Sequence, residues 1–186
     1  MSAPRVTPKL QHEVEQWYYR EARLLDGRQY QSWLALCHPE IRYVIPGRGN
    51  PLVRNLERGN EAMISVEREM EGADSDGLPI RDETLPYLAL RVERSFKANA
   101  WAENPPARTR RIVGNVEIVA ADEQTLTVWS SFHLHYARPG SRSFLYAGQR
   151  RDTLARGEAP GARLLLAREV ILDMAEIAYP TLGLFL

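Results

Sequence analysis

Cysteine and lysine are nearly missing from this chain: Cys37 stands alone, and Lys9 and Lys97 are the only lysines among 186 residues. One thiol excludes an internal disulfide and fits a reducing, cytoplasmic setting. It also excludes an iron–sulfur cluster held by this chain, because such clusters need four thiolates, or two thiolates with two histidines. Neither sign of charge is in surplus. Lys+Arg and Asp+Glu are both 24, so the formal net charge is zero, and nucleic acid is a poor fit as main partner because phosphates call for spare cations. No apolar run approaches the roughly 18–20 residues of a membrane span, and the stretch from Met1 to Lys9 has no apolar signal core. A soluble, cytoplasmic protein is expected. G-x-G-x-x-G, G-x-x-x-x-G-K-[ST], H-E-x-x-H and G-x-S-x-G are all absent, and Gly47-Arg-Gly49 is too short for a dinucleotide loop.

Taking the two lysines from 24 basic residues leaves 22 arginines. Arginine suits interfaces better than lysine, because its planar head is weakly hydrated and pairs in two-pronged fashion. Hydrophobic content of 44% and charged content of 26% are ordinary for a globular protein. The length favours one domain, here residues 9–186 behind a flexible arm over 1–8 that carries Pro4 and Pro8.

From Lys9 to Leu25 the apolar positions Leu10, Val14, Trp17, Tyr18, Leu24 and Leu25 fall at helical spacing, and Asp26-Gly27 ends the helix. A shorter helix is predicted from about Arg28 to Cys37, stopped by His38-Pro39. Ile41, Tyr43 and Ile45 alternate as a strand that ends at Pro46-Gly47. Residues 47–80 are broken up by glycine and proline and read as a long excursion with a helical piece near 60–70. A third helix is predicted over 82–96, beginning in earnest near Pro86. The period then changes to two, with strands at 110–120, 125–138, 142–156 and 162–173. Leu126, Val128, Phe132, Leu134 and Tyr136 share a face of the second of these. Pro139-Gly140 and the run Glu158 to Gly161 mark turns. Helices first and a strand meander afterwards make an α+β plan, with helices packed on one face of a curved sheet.

Between the two halves lies Trp101-Ala-Glu-Asn-Pro-Pro-Ala-Arg-Thr-Arg-Arg111. Paired prolines stiffen this loop and push Asn104 toward an extended conformation. Arg108 and Arg110 share one face if the chain is already extended there. A stiff loop presenting guanidiniums is suited to docking on carboxylates or carbonyls of another surface, since ordering it costs little further entropy. A plain surface loop is the simpler alternative.

The histidines are His12, His38, His133 and His135. His133 and His135 are two apart on a predicted strand, a spacing that can supply two ligands to zinc or iron. No nearby carboxylate or third histidine completes a set, and the alternative is a pair facing solvent or another subunit opposite Phe132 and Leu134. His12 belongs on the helix surface, and His38 terminates a helix. Acid–base catalysis needs only a His or carboxylate in a pocket; Tyr43, Asp26, Glu40 and His133 are the candidates, and no spacing singles them out.

Several pieces in order resemble the small (β) subunit of bacterial aromatic-ring-hydroxylating dioxygenases, of the biphenyl, cumene and benzoate type. These are Trp17 to Asp26 with Trp33, Ile41-Arg-Tyr-Val-Ile-Pro46, Trp101 to Arg110 with Asn115-Val116, Tyr146 to Leu154, and Ala167-Arg-Glu-Val-Ile-Leu-Asp173. The likeness spans about residues 10 to 174. The chain departs at Arg111 and Gly114, where relatives commonly carry a histidine and a serine. The resemblance implies a cone-shaped fold of the nuclear transport factor 2-like, cystatin-like or scytalone dehydratase-like kind. It also implies a homotrimer joined to three large (α) catalytic subunits in a hexamer. In such an enzyme the large subunit carries the Rieske [2Fe–2S] cluster and the mononuclear non-haem iron. The small subunit carries no catalytic residue, cofactor or metal. Trp101, Glu103, Asn104, Arg108 and Arg110 are then the candidate subunit interface. The alternative function is a stand-alone cone-fold dehydratase or isomerase using His/carboxylate chemistry.

Overall fold

The computed structural model describes residues 6–71, 79–100, 104–175 and 184–186. Helix α1 runs Pro8–Asp26, with the Thr7 side chain accepting from the Leu10 N–H and proline in its first turn, where a missing N–H costs nothing. Its buried positions Val14, Trp17, Tyr18, Glu21, Ala22 and Leu25 recur at three- and four-residue intervals and form one stripe. That stripe lies against a six-stranded sheet in the order β2-β1-β6-β5-β4-β3. The strands are β1 (Cys37–Ile45), β2 (Arg81–Thr84), β3 (Arg108–Ala121), β4 (Thr125–Ala137), β5 (Phe144–Arg156) and β6 (Arg163–Leu172).

Strands β3 to β6 form the antiparallel meander expected from the tight turns, and Gly140 and Gly161 both take φ of 75° in those turns. The join to β1 is different. Strand β1 pairs parallel with β6 and antiparallel with β2, so the sheet is mixed. Register shifts at Gly114/Glu117, Ile118/Ala120 and Thr153/Leu154 bend the long strands and curl them around α1. Asn115, in the first of these bulges, has φ of 48°, a conformation asparagine tolerates better than most residues.

Two predicted helices give way in part to strand. Helix α2 covers only Tyr30–Leu34, and Cys37 already opens β1. His38 and Pro39 therefore sit inside a strand, in a register shift between Cys37 and Arg42 where proline's missing N–H takes nothing from a ladder. His38 Nδ1 accepts from the Glu40 N–H at 3.1 Å, so it is no helix terminator. Likewise Arg81–Thr84 is strand β2, and helix α4 occupies Leu85–Arg94. The open side of β1 needs a backbone partner, and the bidentate Arg42–Asp82 pair reinforces that choice. In the 47–80 excursion, short 3-10 turns at Asn55–Glu57 and Glu61–Ile64 precede α3 (Val66–Glu71). The described part of the excursion is pinned by Arg48, which donates to Glu69, Asp173 and the Leu172 carbonyl.

Candidate functional site

The core of the cone is mostly apolar, yet four charged side chains lie at its centre. Glu21, Arg150, Asp152 and Arg168 are each at most 1% exposed. Strand alternation puts Arg150 and Asp152 on the same face as Tyr146 and Leu154, and Arg168 on the same face as Val170. Cross-strand register sets Asp152 opposite Arg168. Glu21 reaches both arginines from the apolar stripe of α1.

Arg168 links the two acids. Its Nη1 and Nη2 donate to Glu21 at 2.7 and 3.0 Å, and its Nε and Nη2 donate to Asp152 at 2.9 and 2.7 Å. Trp33 Nε1 donates to Glu21 at 3.1 Å, Tyr18 donates its hydroxyl proton to Asp152 at 2.7 Å, and Arg150 adds a longer contact to Glu21 at 3.3 Å. The Arg150 guanidinium also lies over the Phe132 ring at 4.8 Å. Two cations and two anions cancel. Burial pushes the Glu21 carboxyl up, but the Arg168 and Arg150 guanidiniums overcome this and hold it at about 2. Burial and Asp152 push the Tyr18 hydroxyl well up. A carboxylate fixed this way is no proton shuttle near neutral pH, because it stays charged and fully bonded.

Residues 184–186 close over the same core. Tyr43 donates to the Leu186 carbonyl at 2.6 Å and accepts the Leu186 N–H at 3.0 Å. Phe185 packs on Trp33 with ring centroids 4.5 Å apart and lies beneath Arg91, which donates to the Leu184 carbonyl at 2.6 Å.

The four acid–base candidates do not meet. Tyr43 is engaged by Leu186, and Asp26 is engaged by Arg111 and Thr109. Glu40 and His133 are exposed on different strands. His133 and His135 project from the outer face of β4, opposite Ile112 and Arg110 of β3. Among the described residues, no three His, Cys, Asp or Glu side chains gather as a metal-ligand set.

Of the five interface candidates, Trp101 and Glu103 lie outside the described residues. Asn104, Arg108 and Arg110 are exposed. The Asn104–Pro105 peptide is cis, and the loop is tied down by Arg138 to the Asn104 carbonyl and by Arg28 to the Ala107 carbonyl. Arg111, next in line, does something else. Its side chain turns inward and donates to Asp26 and to the Phe185 carbonyl, while its backbone N–H donates to Asp26 at 2.8 Å.

Sequence reasoning gave no role to Glu21, Arg150, Asp152 or Arg168, although each lies inside one of the family-like pieces. The signal was partial: Glu21 falls in the phase of Trp17, Tyr18 and Leu25, and Arg150 and Asp152 lie in phase between Tyr146 and Leu154, but a charge in such a position betrays burial only once its partner is known.

A curved mixed sheet wrapped on one long helix, with its interior occupied by the chain's own paired charges, defines a cone-type α+β protein. The solved structure of naphthalene 1,2-dioxygenase with indole bound matches it with a TM-score of 0.78 at 26% identity, covering 98% of this chain and 88% of that one. ActVI-ORFA from Streptomyces coelicolor shares the fold, with a TM-score of 0.58 at 17% identity over 90% of this chain and 97% of its own. Residues 20–178 match the family described as ring hydroxylating beta subunit, and this chain belongs to it. The benzene 1,2-dioxygenase β subunit of Pseudomonas putida is 33% identical over 97% of this chain and 90% of its own length. The biphenyl 2,3-dioxygenase β subunit of Rhodococcus jostii is 32% identical over the same shares.

Proposed function

We propose that this chain is the structural β subunit of a terminal oxygenase that adds both atoms of O₂ to an aromatic ring. It forms one α+β domain over residues 9–186, works in the cytoplasm, and assembles as three copies with three large subunits. The Rieske cluster and the mononuclear iron belong to the large subunit, which receives electrons originating from NAD(P)H. Aromatic hydrocarbons are the substrate class, by analogy with the benzene, chlorobenzene and biphenyl dioxygenases among its relatives.

The observation that carries this reading is the cone interior. Glu21 and Asp152 are bound by Arg168, and Tyr43 by Leu186, so these polar groups of the interior serve as structural ties. The surface supplies what a scaffold needs: exposed Asn104, Arg108 and Arg110 on a tethered loop and strand. Trp101 and Glu103 complete the proposed contact set.

Separate expression and co-expression with the large subunit test the proposal. The chain alone is expected to bind no stoichiometric iron and to turn over no aromatic substrate, and the co-purified assembly is expected to have the mass of a three-plus-three hexamer. Stoichiometric iron on the isolated chain, or dehydratase turnover by it, overturns the proposal.

A further inference from the structure

We infer that the cleft between the last turns of α1 and the free edge of β3 receives an extended, acidic segment of the large subunit. This rests on the subunit reading above and names the surface and the chemistry of the contact. The cleft has a volume of about 400 Å³, and Tyr19, Arg23, Asp26, Arg110, Arg111 and Val113 are among its lining residues.

Its first feature is an open strand edge. Strand β3 ends the sheet order, so one side of its backbone has no strand beside it among the described residues. In an antiparallel ladder, successive residues turn their N–H and C=O alternately toward the partner and away. The Arg111 N–H points away from β4, since it donates to Asp26. The register from Arg111 to Val113 is unbroken, so Val113 turns its N–H and C=O the same way, into the cleft. Side chains from α1 cover this edge on either side: Asp26 takes the Arg111 N–H, and Gln11 donates to the Val116 carbonyl at 2.7 Å. Between them lies Val113, 8% exposed, whose edge no side chain among the described residues caps.

The second feature is uncompensated positive charge. Asp26 is neutralised by Arg111. Arg23 and Arg110 are exposed, and their guanidiniums have no ion-pair or hydrogen-bond partner among the described residues. Two free guanidiniums flanking an open strand edge match an extended segment with carboxylates, the edge supplying main-chain bonds and the arginines the side-chain selection. Tyr19, 38% exposed, adds an aromatic wall. A two-fold contact between copies of this chain would set the same arginines against each other, which disfavours two-fold self-pairing here.

The test uses the full chain with its large subunit and the double variants Arg23→Glu/Arg110→Glu and Arg23→Gln/Arg110→Gln. Neither arginine has a structural partner among the described residues, so circular dichroism, melting and self-association of the variants should match wild type. Binding of the large subunit should weaken by about 100-fold or more in the charge-reversed form, and the salt dependence seen with wild type should flatten in the neutral form. Hydrogen exchange across residues 111–116 should slow when the wild-type assembly forms. Unchanged affinity of the reversed variant, unchanged exchange at 111–116, or loss of self-association alone each overturns the inference. Failure of wild type to bind the large subunit is a separate result: it overturns the subunit reading, and this inference with it.

Discussion

Glu21 lies in the apolar stripe of α1 and accepts hydrogen bonds from Trp33 on α2, Arg150 on β5 and Arg168 on β6. One carboxylate thus ties the helix to two strands. Removing its charge leaves two buried guanidiniums short of a counter-ion, which costs far more than the pair itself gains. Glu21→Gln should destabilise the fold by about 3–5 kcal/mol, read as a shift of the urea midpoint. The same residue sets an acid limit. Its folded pKa of about 2 lies below the ordinary 4.5, so its contribution is complete above the unfolded value and is lost as pH falls from there toward 2. A depression of this size corresponds to about 3 kcal/mol. The melting temperature should drop steeply below pH 4.5 in wild type, and a Glu21→Gln protein should lose much of that slope. Cys37 tests the same interior. Burial and the nearby Glu21 charge push its thiol up to about 12, so a thiol reagent should label it at pH 8 only after unfolding.

At the level of elements, the contacts of β3 with α1 and of β5 with β6 set the curvature. Asp26, at the end of α1, grips β3 through the Arg111 backbone and side chain and the Thr109 hydroxyl. Through its other arm Arg111 holds the Phe185 carbonyl. Arg111→Ala removes both and leaves Asp26 in a half-paired site, so a loss of about 3 kcal/mol is expected. Hydrogen exchange at 184–186 should rise in the same variant; unchanged exchange would mean that Tyr43 and Arg91 hold these residues unaided. Between β5 and β6 the backbones come close. A Cβ added at Gly148 would meet the Ile171 carbonyl oxygen at 2.2 Å, and strand backbone cannot swing aside as a side-chain tip can. Gly148→Ala should therefore cost roughly 3 kcal/mol or more.

For the whole molecule, interior and exterior divide the labour. The interior holds its own ion pairs and is closed by residues 184–186, while Arg108 and Arg110 of β3 are exposed. Arg108 belongs to this outer set: it is exposed and has no ion-pair or hydrogen-bond partner among the described residues. If it meets a buried carboxylate across the proposed interface, Arg108→Ala should weaken assembly by about 2–4 kcal/mol. Sedimentation of the mixed subunits measures this, and an unchanged distribution of species would reduce Arg108 to an ordinary surface residue.

Local periodicity and turn chemistry were enough to determine the α+β order, the four-strand meander with its glycine turns, the stripe of α1 and the inward face of β4, because these are short-range properties of the chain. The ordered set of motifs was enough to reach the family. Sequence reading placed Cys37 and residues 82–84 in helices, where pairing with distant strands overrode local helical signals. It also passed over the four central charges. Glu21, Arg150, Asp152 and Arg168 look like surface residues one at a time, and only a fold that places them within 2.7–3.3 Å of one another makes their burial affordable. The same holds for neighbouring arginines 110 and 111, identical in type. Strand alternation and the position of Asp26 send one to solvent and the other into the core, and that choice belongs to the tertiary structure, since a guanidinium is buried only where a carboxylate waits for it.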